Sequence, residues 1–262
     1  MELGIKGKIA LVTASSKGIG KGIAYSLAKE GAKVIISSSS PDNVNNTVDE
    51  FSKEGIQVVG YSCDLSKPEE VEKLGSWVLD NFGGVDILVF NTGGPKPGDF
   101  FDVDYEDWYY AFELVLMSAV RLTRIFLPRM IEKGWGRVIY MTSVSVKEPI
   151  DGLILSNVFR SGVNALSKSL SRTVRKDNIT FNVVCTGNIY TERAMKLLEN
   201  RSKKFGKSFE EVKKEMENSI PLGRYGSVEE IADFVVFLCS EKSSYINGVS
   251  IQVDGGFIRG VL

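Results

Sequence analysis

Residues 9–27 read IALVTASSKGIGKGIAYSL. The apolar run 9–12 predicts a buried parallel strand, because a strand covered on both faces lacks the polar alternation of a half-exposed one. Small residues follow from Thr13 to Gly20, and Ile23, Leu27 and Ala28 then share one helical face. A strand, a glycine-bearing turn and a helix in that order bring main-chain N–H groups and a helix N-terminus up to a phosphate. Gly18 and Gly20 let the chain approach closely, since no β-carbon stands in the way. Ordinary strand-to-helix turns also favour glycine, so the stretch points to dinucleotide binding only together with its surroundings.

Outward from this unit the pattern repeats. Strands are expected at 33–38, 57–62, 85–90, 137–142, 180–184 and 249–253, and helices at 42–54, 68–82, 105–133, 153–176 and 228–240. Pro68 opens one helix, and Gly83-Gly84 and Gly134 are stop signals. Such alternation predicts an α/β chain with a mostly parallel sheet covered by helices on both faces. Residues 191–220 break the rhythm, being rich in Lys, Arg and Glu. They read either as a solvated helical excursion or as a lid. Their place after the sixth strand favours the lid, since ligands bind beyond the carboxyl ends of such strands.

Composition narrows the function. A net charge of −1 gives no reason to expect nucleic acid or membrane as partner. Cys63, Cys185 and Cys239 are far apart, so neither a disulfide framework nor a metal site is expected. The opening MELGIKGKIALV has no signal-peptide pattern, and no apolar run approaches ~18 residues, so a cytoplasmic protein is expected. The chain contains no histidine. Histidine-based acid/base chemistry and His-ligated metals are thereby excluded, and proton transfer falls to Tyr, Lys, a carboxylate, Cys or water.

At this point the chain resembles the short-chain dehydrogenase/reductase family over nearly its whole length. The run from Thr13 to Gly20 looks like the family's TGxxxGxG turn, with Ala14 in place of the first Gly. Asn91-Thr92-Gly93-Gly94 resembles its NNAG motif, and Asp64-Leu65 follows the third strand where the family contacts adenine. The segments Pro221-Leu222-Gly223-Arg224, Glu229-Glu230-Ile231-Ala232 and Val253-Asp254-Gly255-Gly256 are similar to the 3-oxoacyl-[acyl-carrier-protein] reductase branch. The resemblance implies one Rossmann-type, doubly wound domain over residues 1–262, with about seven parallel strands, assembled as a homotetramer or homodimer.

It also implies which residues meet the cofactor: Thr13, Ser15, Ser16, Lys17, Gly18, Ile19 and Gly20 in the turn, Ser38 and Ser39 after the second strand, Asp64, Leu65, Asn91, Gly93 and Arg160, and Gly187, Ile189 and Thr191 on the nicotinamide side. The second strand ends in Ser37-Ser38-Ser39-Ser40 without the acid that would bind the adenosine ribose hydroxyls. Hydroxyls accommodate a 2′-phosphate, and Lys17 stands where NADP-preferring relatives carry a base. NADP(H) is therefore expected over NAD(H).

In the family a Tyr protonates the substrate oxygen, a Lys four residues on tunes it, a Ser polarises the carbonyl, and an Asn on the preceding helix supports a water. Ser143 matches the Ser; counting along the motifs puts Ser156 at the Tyr position, Arg160 at the Lys position and Val115 at the Asn position. An alkyl hydroxyl is a far weaker acid than a phenol of pKa near ~10, and Arg keeps its charge without trading protons. Lys147, four residues after Ser143, is the substitute acid to weigh, with Tyr190 behind it, and Glu113 is a candidate partner for Arg160. Similar departures occur in a subset of 3-oxoacyl-reductase-like proteins.

Two functions follow. One is an NADP(H)-dependent oxidoreductase for a small carbonyl/alcohol pair, with Ser143, Ser156, Arg160 and Lys147 as an altered catalytic set. The other is a non-catalytic dinucleotide-binding sensor or assembly protein. The lid's bases, Arg193 among them, are suited to an acidic carrier or phosphorylated substrate, though interspersed glutamates weaken that pull.

Overall fold

Strict alternation of side-chain direction lets each strand feed two cores at once. In the computed structural model, which describes residues 2–175 and 178–261, the first strand β1 (Ile9–Val12) turns Leu11 to one face and Ala10 and Val12 to the other. The order continues α1 (Gly18–Lys29), β2 (Lys33–Ser38), α2 (Pro41–Lys53), β3 (Val58–Ser62), α3 (Pro68–Phe82), β4 (Ile87–Phe90) and α4 (Tyr105–Ala111). Then come α5 (Ser118–Lys133), β5 (Gly136–Ser143), α6 (Ile154–Thr173), β6 (Ile179–Thr186), α7 (Glu192–Phe205), α8 (Phe209–Asn218), α9 (Val228–Cys239) and β7 (Ser250–Val253). The strands form one seven-stranded sheet in the order β3-β2-β1-β4-β5-β6-β7, every pair parallel. Helices α3, α5 and α6 cover the face of Leu11 and Leu88, and α1 and α9 the face of Val12 and Val89. This is the expected doubly wound sheet. Its order reverses between β1 and β4, so the chain leaves their carboxyl ends in opposite directions and opens a crevice there.

Two expected helices are corrected. The helix foreseen over 105–133 is interrupted by a π turn, Phe112–Met117. The Ser118 amide reaches back to the Glu113 carbonyl, and its hydroxyl donates to Leu114 O at 2.6 Å, drawing that carbonyl away from the regular ladder. The excursion over 191–220 is helical, as expected, and carries a core of its own. Its helices α7 and α8 close a small core of Leu198, Val212, Ile220 and Tyr225. The helix expected over 153–176 ends at Thr173, and Lys176 lies outside the described residues.

One buried cation ties the sheet's far end. Arg137, fully buried at the start of β5, donates to Ser240 O, Gly136 O, Asn178 O and Asn178 Oδ1 at 2.7–3.1 Å. Its guanidinium lies 4.6 Å over the Trp135 ring, with the Lys8 ammonium 3.9 Å from the same ring. Neutral acceptors thus satisfy a charge that, among the described residues, is in no ion pair.

Candidate active site

The crevice is stitched together before any ligand arrives. Thr13 Oγ1 donates to Asn91 O at 2.6 Å, Asn91 N returns a bond to Thr13 Oγ1 at 2.9 Å, and Asn91 Nδ2 donates to Ala14 O at 3.1 Å. Thr13 and Ser15 are completely buried, and Ser15 Oγ donates to Val12 O at 2.6 Å. Their hydroxyls shape the turn that the resemblance places against the cofactor. Ala14 stands at φ +46°, in the left-handed region. An L-residue there carries about 1–2 kcal/mol of strain that the family's glycine would not.

The turn fits a pyrophosphate. Gly20 has no room for a side chain: a β-carbon would strike the Ala14 carbonyl and stand 2.8 Å from Asn91 Nδ2. Helix α1 begins after Lys17 with no side-chain cap and no acid in its first turn. Its leading amides therefore face the crevice without an internal acceptor, as anion binding requires.

The adenosine end is built at the tips of β2 and β3. Ser38 is half-buried and Ser39 exposed, and no acid accompanies them. Ser37 is buried with its hydroxyl unpartnered, whereas Ser40 caps α2 by accepting from Asn43 N at 3.3 Å. Asp64 Oδ1 accepts from the amide and hydroxyl of Ser66 at 3.0 and 2.8 Å, which fixes the carboxylate beside buried Leu65. Lys17 lies 3.8 Å from Glu192, an exposed pair of little energetic weight.

At the other end a cleft of about 630 Å³ brings Ser143, Ser156 and Arg160 together with Asn91, Gly93 and Thr191. Gly187 and Ile189, after β6, line the same space. A larger groove of about 1180 Å³ lies between α1, α2 and α9, away from the strand ends and from these groups. Ser143 Oγ accepts from Ser145 N at 3.2 Å, which leaves its proton free. Thr191 Oγ1 caps α7 by accepting from Ala194 N at 3.2 Å, so it too keeps a proton to donate.

Arg160 dominates the cleft. Only 8% exposed, it donates from Nε to Ser156 Oγ at 3.1 Å, from Nη1 to Met141 O at 3.2 Å and from Nη2 to Gly93 O at 3.4 Å. Among the described residues no carboxylate pairs with it. Burial, reinforced by the charge of Arg193, pulls its pKa well below the usual guanidinium range, to about 10. Glu113, expected as its partner, pairs with Arg121 instead.

Lys147 is not among the residues that line this cleft. A short 3-10 turn, Val144–Val146, carries the chain round so that Lys147 N bonds Val144 O at 2.8 Å, and the lysine charge acts on the buried Cys185 thiol of β6. Tyr190 is half exposed and packs edge-on against Tyr225, and Tyr140 is buried against the Thr123 hydroxyl at 2.7 Å. Val115 is 1% exposed within the π turn. The residue that the motifs did not single out is Arg193, whose guanidinium lies against Gly94 in the cleft wall. Its nearest sequence signal is its place two positions after Thr191, in the first turn of α7.

Comparison with known proteins agrees with this geometry. The family model for enoyl-(acyl carrier protein) reductase matches residues 13–258. The chain is 38% identical to the Bacillus subtilis oxidoreductase YvaG, covering 100% of both. It is 34% identical to 3-oxoacyl-[acyl-carrier-protein] reductase FabG of Aquifex aeolicus, over 98% of this chain and 99% of that one. Among solved structures, L-sorbose reductase of Gluconobacter frateurii, complexed with NADPH and L-sorbose, superimposes with a TM-score of 0.94 at 34% identity, covering 100% of both chains.

Proposed function

The chain belongs to the short-chain dehydrogenase/reductase family, and we propose that it is an NADP(H)-dependent oxidoreductase for a carbonyl/alcohol pair whose oxyanion is held by Arg160. The observation that carries this is the buried, acid-free guanidinium of Arg160, bonded to Ser156 in the cleft that also holds Ser143. The NADPH bound by the L-sorbose reductase, and the acid-free tip of β2, support NADP(H) over NAD(H).

In this reading the α1 amides and Gly18–Gly20 hold the pyrophosphate, Ser38, Ser39 and Lys17 meet the 2′-phosphate, and Asp64 and Leu65 flank the adenine. Asn91, Gly93, Ile189 and Thr191 border the nicotinamide end. When bound, NADPH supplies a hydride to the carbonyl carbon. The protein's part is to stabilise the charge left on oxygen: Ser143 and Ser156 donate hydroxyl hydrogen bonds, and Arg160 supplies a fixed positive charge in a site of low dielectric. Arg160 stays protonated at neutral pH, so the proton that completes the alcohol comes from water admitted at the cleft mouth. Lys147, which does not line the cleft, is assigned no part in this reading. Helices α7 and α8, whose first turn reaches Gly18 through Thr191 at 3.4 Å from a notional β-carbon, serve as the lid.

Val115 and Ser156 at the family's Asn and Tyr positions favour a second reading, a dinucleotide-binding sensor without turnover. A Ser156→Tyr, Arg160→Lys double variant separates the two. Wild-type protein is expected to oxidise NADPH against members of a panel of ketones, aldoses and oxo acids, assayed with NADPH and with NADH. Cofactor binding by the wild type with turnover only in the double variant would establish the sensor.

A further inference from the structure

Arg137 and Arg160 are buried and Arg193 has its guanidinium partly so; among the described residues none of the three is in an ion pair, and they are satisfied to different degrees. Arg137 makes four hydrogen bonds to fixed oxygens. Arg160 makes three, at 3.1, 3.2 and 3.4 Å, leaving two of its five N–H groups unspent. Arg193 makes none with any described residue. It is exposed as a residue on the first turn of α7, yet its guanidinium is laid along the backbone of Gly94 in the cleft wall, where burial lowers its pKa. Gly93 accepts from Arg160 and Gly94 carries Arg193, so the two guanidiniums flank consecutive residues of one strand-exit loop.

The rest of the lining adds charge of the same sign. Lys17, Lys96, Arg160, Arg193 and Lys196 border the cleft, against the single carboxylate of Glu192. Glu192 already stands 3.8 Å from Lys17, and Lys96 is paired with Asp107 at 2.5 Å. Two guanidiniums that repel one another across a loop, both with donors to spare, form a receptor for an oxyanion. The pyrophosphate has its own place at the first turn of α1. The arginines instead meet at the β4–β5 side of the cleft, where Arg160 is bonded to Met141 and Ser156.

We propose that Arg160 and Arg193 clamp a carboxylate of the substrate, which makes the substrate a short oxo acid with its carboxylate one or two carbons from the reacting carbonyl. The short spacing follows because Arg160 also serves the carbonyl oxygen, so one guanidinium touches both groups. This rests on the oxidoreductase reading above. Arg193 is then a specificity-determining residue, brought to the substrate by the lid.

The test compares kcat/KM of the NADPH-driven reaction for 2-oxo and 3-oxo acids with their methyl esters, in wild type and in Arg193→Gln. It is joined to NADPH titration by fluorescence and to calorimetry of the NADPH-loaded protein with oxamate and with neutral oxamide. Acids are expected to exceed their esters by about 10–100-fold, the range of a charge-assisted hydrogen-bond pair. Arg193→Gln is expected to remove that preference and the oxamate binding while leaving NADPH affinity within about threefold, since the pyrophosphate is held by the α1 turn. Equal use of acids and esters overturns the clamp and leaves the oxidoreductase standing. A loss of NADPH affinity as large as the loss for acids assigns Arg193 to the cofactor instead. If no carbonyl compound is turned over, the oxidoreductase reading falls. The calorimetry then decides the clamp alone: oxamate binding abolished by Arg193→Gln upholds it, and its absence from the wild type overturns it.

Discussion

Replacing Arg160 by methionine lowers kcat by about 10²–10³-fold, the usual effect of deleting an oxyanion-stabilising donor, while the protein stays folded. The balance that keeps it folded is particular to this residue. The fold holds the Arg160 pKa near 10, well below that of a free guanidinium, a difference worth about 3 kcal/mol at neutral pH. The sign is that of a cation disfavoured by burial. The cost is fully present below about pH 10 and fades as pH rises from there toward the pKa of a free guanidinium, because the unfolded chain holds the proton more tightly. Methionine removes this cost and keeps most of the side-chain volume. It also strips a donor from Ser156 Oγ, Met141 O and Gly93 O, at about 1 kcal/mol each. The two contributions nearly cancel, so the expected shift in melting temperature is a few degrees at most. Turnover assays beside thermal melts check both halves. An Arg160→Met protein of near wild-type activity would remove the guanidinium from the chemistry.

Gly20→Ala is expected to destabilise the protein by about 2–3 kcal/mol, the range of overpacking in a rigid site, and to weaken NADPH binding by at least tenfold. The sign is the informative part. Glycine to alanine inside a helix normally gains about 1 kcal/mol, and Gly20 is the third residue of α1. Here the new methyl meets the Ala14 carbonyl, Asn91 Nδ2 at 2.8 Å and Ser15 Cα at 3.0 Å. Two of those three are backbone, and relieving the clash means breaking the Asn91–Ala14 bond that holds the turn to β4. Chemical denaturation and fluorescence titration with NADPH measure the two losses.

How far the sequence speaks for itself differs along the chain. Buried parallel strands announce themselves as continuous apolar runs, and β2 falls on its expected residues 33–38, as α3 does on 68–82. The meeting of Ser143, Ser156 and Arg160 also follows from counting along motifs, because all three sit on or beside regular elements whose geometry transmits position. Lys147 does not, because one 3-10 turn decides which way it leaves β5. The π turn left no mark in the apolar periodicity. It also bears on Glu113, which lies within it and pairs with Arg121 on α5. Arg193 reads as one base among many in a polar stretch; only the folded lid lays its guanidinium against Gly94.

The pH dependence of kcat, measured from pH 6 to 11 for NADPH-driven reduction by the wild type and by Arg160→Met, tests the central claim most directly. With Arg160 cationic through the neutral range, and no residue trading protons near neutrality, the wild-type rate is expected to stay level to about pH 9. It should then fall with a midpoint no lower than about 10, where the guanidinium titrates. The methionine variant should be slow and lack that limb. A wild-type midpoint near or below pH 8, or the same high-pH fall in both proteins, would contradict the assignment of the oxyanion charge to Arg160.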